Sequence, residues 1–338
     1  MKVRLRDLAD DLGLSVMAVS KALRDAPDIG PATKARVQAE AKRKGYWPNE
    51  AARSLRVKQS GWVGLVLPDL ASEEGAMVSG GLVEAAQESG IAVLVGIART
   101  AKEEREQVRA MIGRGAEAIF LLPRISTEHR SAALELVNQA GCPVVFLKRY
   151  PADVGLGSGK VSWAVRDMQG AADLVLDHFY DLGHRRVAYV GGHSAARSHA
   201  IHMQAVVEGS EKRGMTLIGG GRMVGLESEE AAKEMMKILE KKDPPTGVIC
   251  GTDILAGGVI RACVEKGVLV PKGLSVSGVG DGEFSRHGVV PLTTVRFPSP
   301  GRLGFEAWKE ARGGSVEMRP QLAKGKLVVR ESTGRVAE

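Results

Sequence analysis

Leu5-Arg6-Asp7-Leu8-Ala9-Asp10-Asp11-Leu12-Gly13-Leu14-Ser15-Val16-Met17-Ala18-Val19-Ser20-Lys21-Ala22-Leu23-Arg24 reads as two short helices joined by a tight turn. Leu5, Leu8, Ala9 and Leu12 fall on one face of the first, and Gly13 ends it with freedom to take positive φ. Ser15 is a good N-cap for the second, from Val16 to Arg24, whose inward stripe is Val19, Ala22 and Leu23. A small residue at Ala9 facing a β-branched one at Val19 suits close helix-on-helix packing, so the unit reads as a helix-turn-helix. A third helix opens at Pro31 and closes with Lys42-Arg43-Lys44 before Gly45.

From Trp62 onward the periodicity changes. Short apolar runs alternate with helix-length amphipathic segments: Trp62 to Leu67, Ile91 to Val95, Ala118 to Leu122 and Val144 to Leu147, then Val187 to Val190, Gly247 to Cys250 and Ser275 to Val279. Runs apolar on both faces and separated by helices predict parallel sheets covered on both sides, and two series predict two α/β layers with a cleft between them. Ligands of such folds sit outside the carboxyl ends of strands, which makes the loops after these runs, beginning with Asp69, the candidate site.

The bulk numbers agree with several domains. A chain of 338 residues with 44% hydrophobic content can bury at least one sizeable core. Residues 1–60 hold thirteen Lys/Arg against seven Asp/Glu, so six of the seven net positive charges lie in the first sixth of the chain. A basic terminal module on a nearly neutral body points to a polyanionic partner, because neutralising phosphates releases condensed counterions. Cys142, Cys250 and Cys263 have no CxxC spacing and read as buried free thiols. No stretch has the ~18 uninterrupted apolar residues of a membrane span, and Met1 to Asp7 lacks the apolar core of a signal peptide, so a cytoplasmic protein with no membrane partner is expected.

At Tyr46-Trp47-Pro48-Asn49-Glu50-Ala51-Ala52-Arg53-Ser54-Leu55-Arg56 the chain resembles the hinge of the LacI/GalR family. Leu5 to Lys21 resembles that family's DNA reader, Gly183 to Gly192 its strand entering the second subdomain, and Pro291-Leu292-Thr293-Thr294-Val295 and Val329 to Thr333 its closing segments. The resemblance implies a helix-turn-helix headpiece at 1–45, a hinge at 46–60 and a periplasmic-binding-protein-like pair of doubly wound parallel α/β subdomains at 61–338. The first subdomain is expected at about 61–161 and 292–321, the second at about 162–291 and 322–338. It also implies a homodimer, since no heptad helix follows Ser332, acting on double-stranded operator DNA under control of a small-molecule effector.

Ser15, Val16, Met17, Ser20 and Lys21 are then expected in the major groove, with Leu5 also at the DNA. Val16 and Met17 resemble the family's main specificity pair; both are apolar and suit thymine methyl groups, while Lys21 can donate to guanine. The alternative is that Val16 or Met17 is core, although Val19 and Leu23 already fill the inward stripe. The segment from Asn49 is too short for a stable isolated helix and is expected to fold on DNA, with Leu55 as a minor-groove wedge, Ala52 beside it, and Arg53 and Arg56 available to phosphates.

For the effector, the resemblance carries over Arg197 and the pair Thr252-Asp253, with threonine in place of the family's asparagine. Gly280 stands where an effector-binding aspartate usually sits, leaving Asp281 beside it, and Lys148-Arg149 replaces a common Asp-Arg. Cations at strand ends, Arg124, Lys148 and Arg197, suggest an anionic ligand such as a sugar acid or sugar phosphate if they stand unpaired; the alternative is that Arg124 and Lys148 turn outward or pair with carboxylates.

Other function classes fit less well. Gly155 to Val161 fails the phosphate-loop pattern at Val154 and Val161. His184, His193, His199 and His202 match no zinc spacing, and no nucleophile elbow is present, so no catalytic residue, metal or cofactor is expected. A periplasmic sugar-binding protein would need an export signal and no reader. A regulator whose cleft is vestigial is the remaining alternative.

Overall fold

The computed structural model describes residues 3–47, 59–124, 134–150, 159–193, 197–219, 221–225, 227–314 and 316–336. The chain divides into two compact units, residues 1–60 and 61–338.

In the first unit, α1 (Leu5–Leu12), α2 (Val16–Leu23) and α3 (Pro31–Arg43) close around Leu8, Ala9, Val19, Ala22, Val37 and Ala41. Gly13 takes φ 64° and turns the chain between α1 and α2. Ser15 caps α2, its Oγ accepting from the Ala18 N–H at 3.1 Å.

The second unit carries two sheets. The first is wholly parallel, in the order β12 (Gln321–Ala323), β5 (Val161–Arg166), β4 (Val144–Lys148), β3 (Ile119–Leu121), β1 (Trp62–Leu67), β2 (Ala92–Ile97). Alternate residues face opposite ways, which is why its strands read as unbroken apolar runs. Val63, Leu65, Leu67, Phe120, Val145 and Leu147 meet α4 (Glu73–Glu88) and α12 (Pro300–Ala311). Val66, Ile119, Leu121, Val144 and Phe146 meet α5 (Ala101–Gly113) and α6 (Leu134–Ala140).

The second sheet runs β13 (Lys326–Val328), β11 (Thr293–Arg296), β10 (Ser275–Val279), β9 (Gly247–Cys250), β6 (Arg186–Gly191), β7 (Thr216–Leu217), with β8 (Arg222–Met223) also on β6; only β13 is antiparallel. One face packs on α9 (Ser228–Leu239) and α10 (Asp253–Glu265), the other on α7 (Met168–Asp181) and α8 (Arg197–Lys212).

Because β5 belongs to the first sheet and β11 to the second, the chain crosses between layers one strand later than the expected limits at 161 and 292. Val161 pairs with Val144 and Thr293 with Ser277, and these ladders hold each strand in its layer. The chain crosses back a third time between β12 and β13. Among the described residues no helix is long and apolar enough to cross a membrane.

Candidate functional site

Two regions of the described chain gather chemistry-bearing residues. The first is the outer face of α2. Val16 is 43% and Met17 70% exposed, so neither is core; both project from the helix whose other side is fixed by Val19 and Ala22. Ser20 and Lys21 are half-buried beside them, and the Lys21 ammonium is paired with the Asp28 carboxylate. That partner holds Asp28 below the usual carboxylate range. Leu5 is half-buried against the headpiece core and is a packing residue in this structure. Asn49, Ala52, Arg53, Leu55 and Arg56 lie outside the described residues.

The second region lies between the sheets at the carboxyl ends of their strands, as the strand-end rule requires. Glu74, in the first turn of α4, receives the Lys148 ammonium at 2.5 Å and both ends of the Arg149 guanidinium at 2.6 and 2.7 Å. These cations hold Glu74 well below the ordinary carboxylate range despite its burial. Burial lowers Lys148 to about 8, with Glu74 opposing the fall. Lys148 is therefore not an unpaired cation: it shares a carboxylate of its own layer with Arg149. Lys148 also takes φ 64°, a left-handed turn at the end of β4.

Arg166, the last residue of β5, is the cation that sequence reading missed. Its guanidinium lies 5.1 Å from the centre of the Phe297 ring; among the described residues Nη2 donates to the Met77 sulfur alone, at 3.0 Å, and the buried Nε has no hydrogen-bond partner. No carboxylate lies within ion-pair distance of it among the described residues, although Glu74, Asp253 and Glu73 are near enough to favour its charge.

The remaining expected residues divide by role. Arg197 opens α8 and stands exposed over Tyr150, 5.2 Å from the ring centre, while Tyr150 stacks on Trp163 at 4.4 Å. Since Tyr150 follows β4 and Arg197 follows β6, this contact spans the cleft. Thr252 caps α10, accepting from the Leu255 N–H at 3.3 Å, which asparagine would do equally well. Asp253 is buried, accepting from Thr294 Oγ1 at 2.5 Å and the Gly282 N–H at 3.1 Å; burial nevertheless raises its pKa. Asp281 is gripped by Arg330 at 2.5 Å, by Arg296 and by Arg286 at 3.3 Å, so its carboxylate locks the end of β10 to the C-terminal segment. Asp69 is exposed and closes a turn by accepting from the Ala71 N–H at 2.9 Å. Arg124 is half-buried just beyond β3.

Gly280 explains its own departure from the expected aspartate. Its φ of +143° suits glycine alone, and a β-carbon there would lie 3.1 Å from Asp253 Oδ2. Across the cleft, Glu73 Oε1 comes against the α-carbon of Gly282. Of the histidines, His184 is bonded to Thr246 Oγ1 at 2.9 Å and to the Gly334 carbonyl at 3.1 Å. His199 and His202 are buried on α8, pushed down to about 4 and about 3 by desolvation first and by neighbouring positive groups second.

Comparison with known proteins matches this arrangement. The sequence profile of the periplasmic binding protein-like domain matches residues 176–333. The chain is 27% identical to the HTH-type transcriptional regulator AglR of Rhizobium meliloti (strain 1021), covering 99% of this chain and 95% of that protein. The lac repressor dimer bound to operator and the anti-inducer ONPF aligns with TM-score 0.80 at 22% identity, covering 99% of this chain and all of the other. The regulator CelR in complex with cellobiose aligns with TM-score 0.70 at 22% identity, over 98% of this chain and all of the other. A three-helix reader followed by two interlaced parallel layers, in the order these relatives share, is what the chain has in common with transcriptional regulators of the lac-repressor (LacI/GalR) family, which it resembles.

Proposed function

We propose that the protein is a repressor that binds a pseudopalindromic operator as a homodimer and is controlled by a small molecule held between its two α/β layers. The observation that carries this reading is the pair Val16 and Met17, exposed on the helix that a helix-turn-helix presents to the major groove, at the start of a chain whose excess positive charge is concentrated in the same unit. Relatives of this architecture are regulators, not enzymes, and a cytoplasmic location follows from the operator partner. Leu55, Arg53 and Arg56 belong to this reading as minor-groove and phosphate contacts, with Asn49 and Ala52 alongside.

The ligand is anionic. Support comes from the replacement of a carboxylate position by Gly280 and from the arginines at the cleft, Arg166 and Arg197, rather than from Lys148, which is paired with Glu74. The test of the regulator reading is a titration of operator duplex at increasing salt. Log K is expected to fall linearly with log salt, and a flat line would remove the DNA-binding reading.

A further inference from the structure

We infer that Arg166 is the specificity-determining residue of the cleft and that the group it reads is a single planar carboxylate on the effector. The inference rests on the effector reading above and narrows it to one chemistry.

A guanidinium offers two parallel N–H bonds along its Nε–Nη2 edge, spaced for the two oxygens of a carboxylate. On Arg166 no oxygen of the described residues fills that edge. Nε is buried with no partner, and Nη2 has only the thioether of Met77, a weak acceptor. One flat side of the group rests on the Phe297 ring, so recognition is confined to the edge. A desolvated charge in this state is costly, and a ligand oxygen pair that displaces the Met77 sulfur removes the cost.

Local charge selects one negative charge over two. The charges that act on Arg166 are Glu73, Glu74 and Asp253, Glu74 is shared with Lys148 and Arg149, and Arg197 adds a fourth cation to this group of three acids. One positive charge is left over, which a monocarboxylate balances. A phosphate monoester would bring about two negative charges at pH 7 into a site that already holds three carboxylates. The flanking Tyr150 on Trp163 provides a flat apolar wall for the ring of a sugar acid once Arg197 swings aside.

The experiment uses the full-length protein, its Arg166→Met and Arg166→Lys variants, and a fixed set of probes: acetate, D-glucuronate, D-galacturonate, D-gluconate, D-glucose, glucose 6-phosphate and inorganic phosphate. Thermal shift and calorimetry are read beside operator binding by fluorescence anisotropy. At least one sugar acid is expected to raise the wild-type melting temperature more than glucose or glucose 6-phosphate does, with acetate acting weakly in the same sense. Arg166→Met should abolish these shifts, and Arg166→Lys should weaken binding at least tenfold, because the ammonium keeps the charge and loses the fork. The apo Arg166→Met protein should melt no lower than wild type, since an apolar side chain replaces an unpaired charge; if it fails to fold, the Lys variant carries the test. A response to glucose 6-phosphate that exceeds every sugar acid, equal responses in wild type and both variants, or no response to any carboxylate would each overturn the inference. Loss of operator binding in wild type, with the sugar-acid response intact, would instead sink the regulator reading alone.

Discussion

Glu74 and Arg149 form a two-point ion pair at 2.6 and 2.7 Å, joining the first turn of α4 to the end of β4, and Lys148 shares the same carboxylate. One acid thus pairs with two cations that adjoin the cleft, and the trio keeps one positive charge. Glu74→Gln should lower stability by about 2 kcal/mol, less than the 3–5 of a fully buried pair because the carboxylate keeps some exposure. The pH dependence should change as well. In wild type, Lys148 titrates near 8 in the folded state against 10.5 unfolded, so the unfolded chain binds more protons between these values and stability rises with pH there. Without Glu74, burial is less opposed, and that rise should begin closer to neutrality in urea melts taken from pH 6 to 10.

His199 and His202 set the acid limb. Both are buried with pKa values lowered to about 4 and about 3, so the unfolded chain takes up protons below 6.5 that the folded chain refuses. Stability should be independent of these two groups above pH 6.5 and fall as pH drops from 6.5 towards 4. His202→Gln should flatten that fall by roughly half, measured as the midpoint of urea unfolding at each pH. An unchanged slope would mean that other groups govern acid unfolding.

Gly278 and Gly280 make room for Asp253. A β-carbon on Gly278 would press on Asp253 Oδ1 and come within 2.8 Å of Leu292. Gly278→Ala should cost about 2 kcal/mol by overpacking. Gly280→Asp, which restores the aspartate expected from the family, should destabilise further, because it adds a strained backbone and a second carboxylate beside a buried one. Stability, not ligand affinity alone, should therefore decline when circular dichroism melts are compared.

Lys21 is occupied by Asp28 in the free protein. Asp28→Ala should release a cation at the end of α2 and strengthen binding to random duplex, with the slope of log K against log salt becoming steeper by up to about one. Val16→Ala with Met17→Ala should do the opposite: operator affinity drops roughly tenfold, random-duplex binding holds, and melting is unaffected because both side chains are exposed.

Much of the fold was legible because both periodicities are clean. The runs at Trp62 to Leu67 and Val144 to Leu147 are apolar at every position, which only a strand covered on both faces needs, and Ser15, Pro31 and Gly13 mark helix ends by their backbone chemistry. The crossing points were misplaced because a strand's layer is a matter of pairing, and nothing local in Val161 to Arg166 says which sheet it joins. The site was harder to read. Lys148 and Asp281 were noticed as charges at strand ends, but their partners Glu74 and Arg330 are remote in sequence, at separations no pattern reports. Arg166 is not legible in the sequence because a charged residue at a strand terminus ordinarily reaches solvent with its whole head group, and only the Met77 and Phe297 contacts reveal that the Nε of this one is buried.

The three crossings between layers also govern how the chain can be made. Phe120, Leu147 and Ala164 of the first sheet are covered by Phe305 and Trp308 of α12, and its edge strand is residues 321–323. A ribosome therefore delivers about nine-tenths of the 338 residues before the first layer can be closed. Until then a broad apolar face stands open on the nascent chain, while the second layer is synthesised in the interval. The first layer is thus closed last, and truncations that remove the last few dozen residues should yield aggregates rather than a smaller working domain.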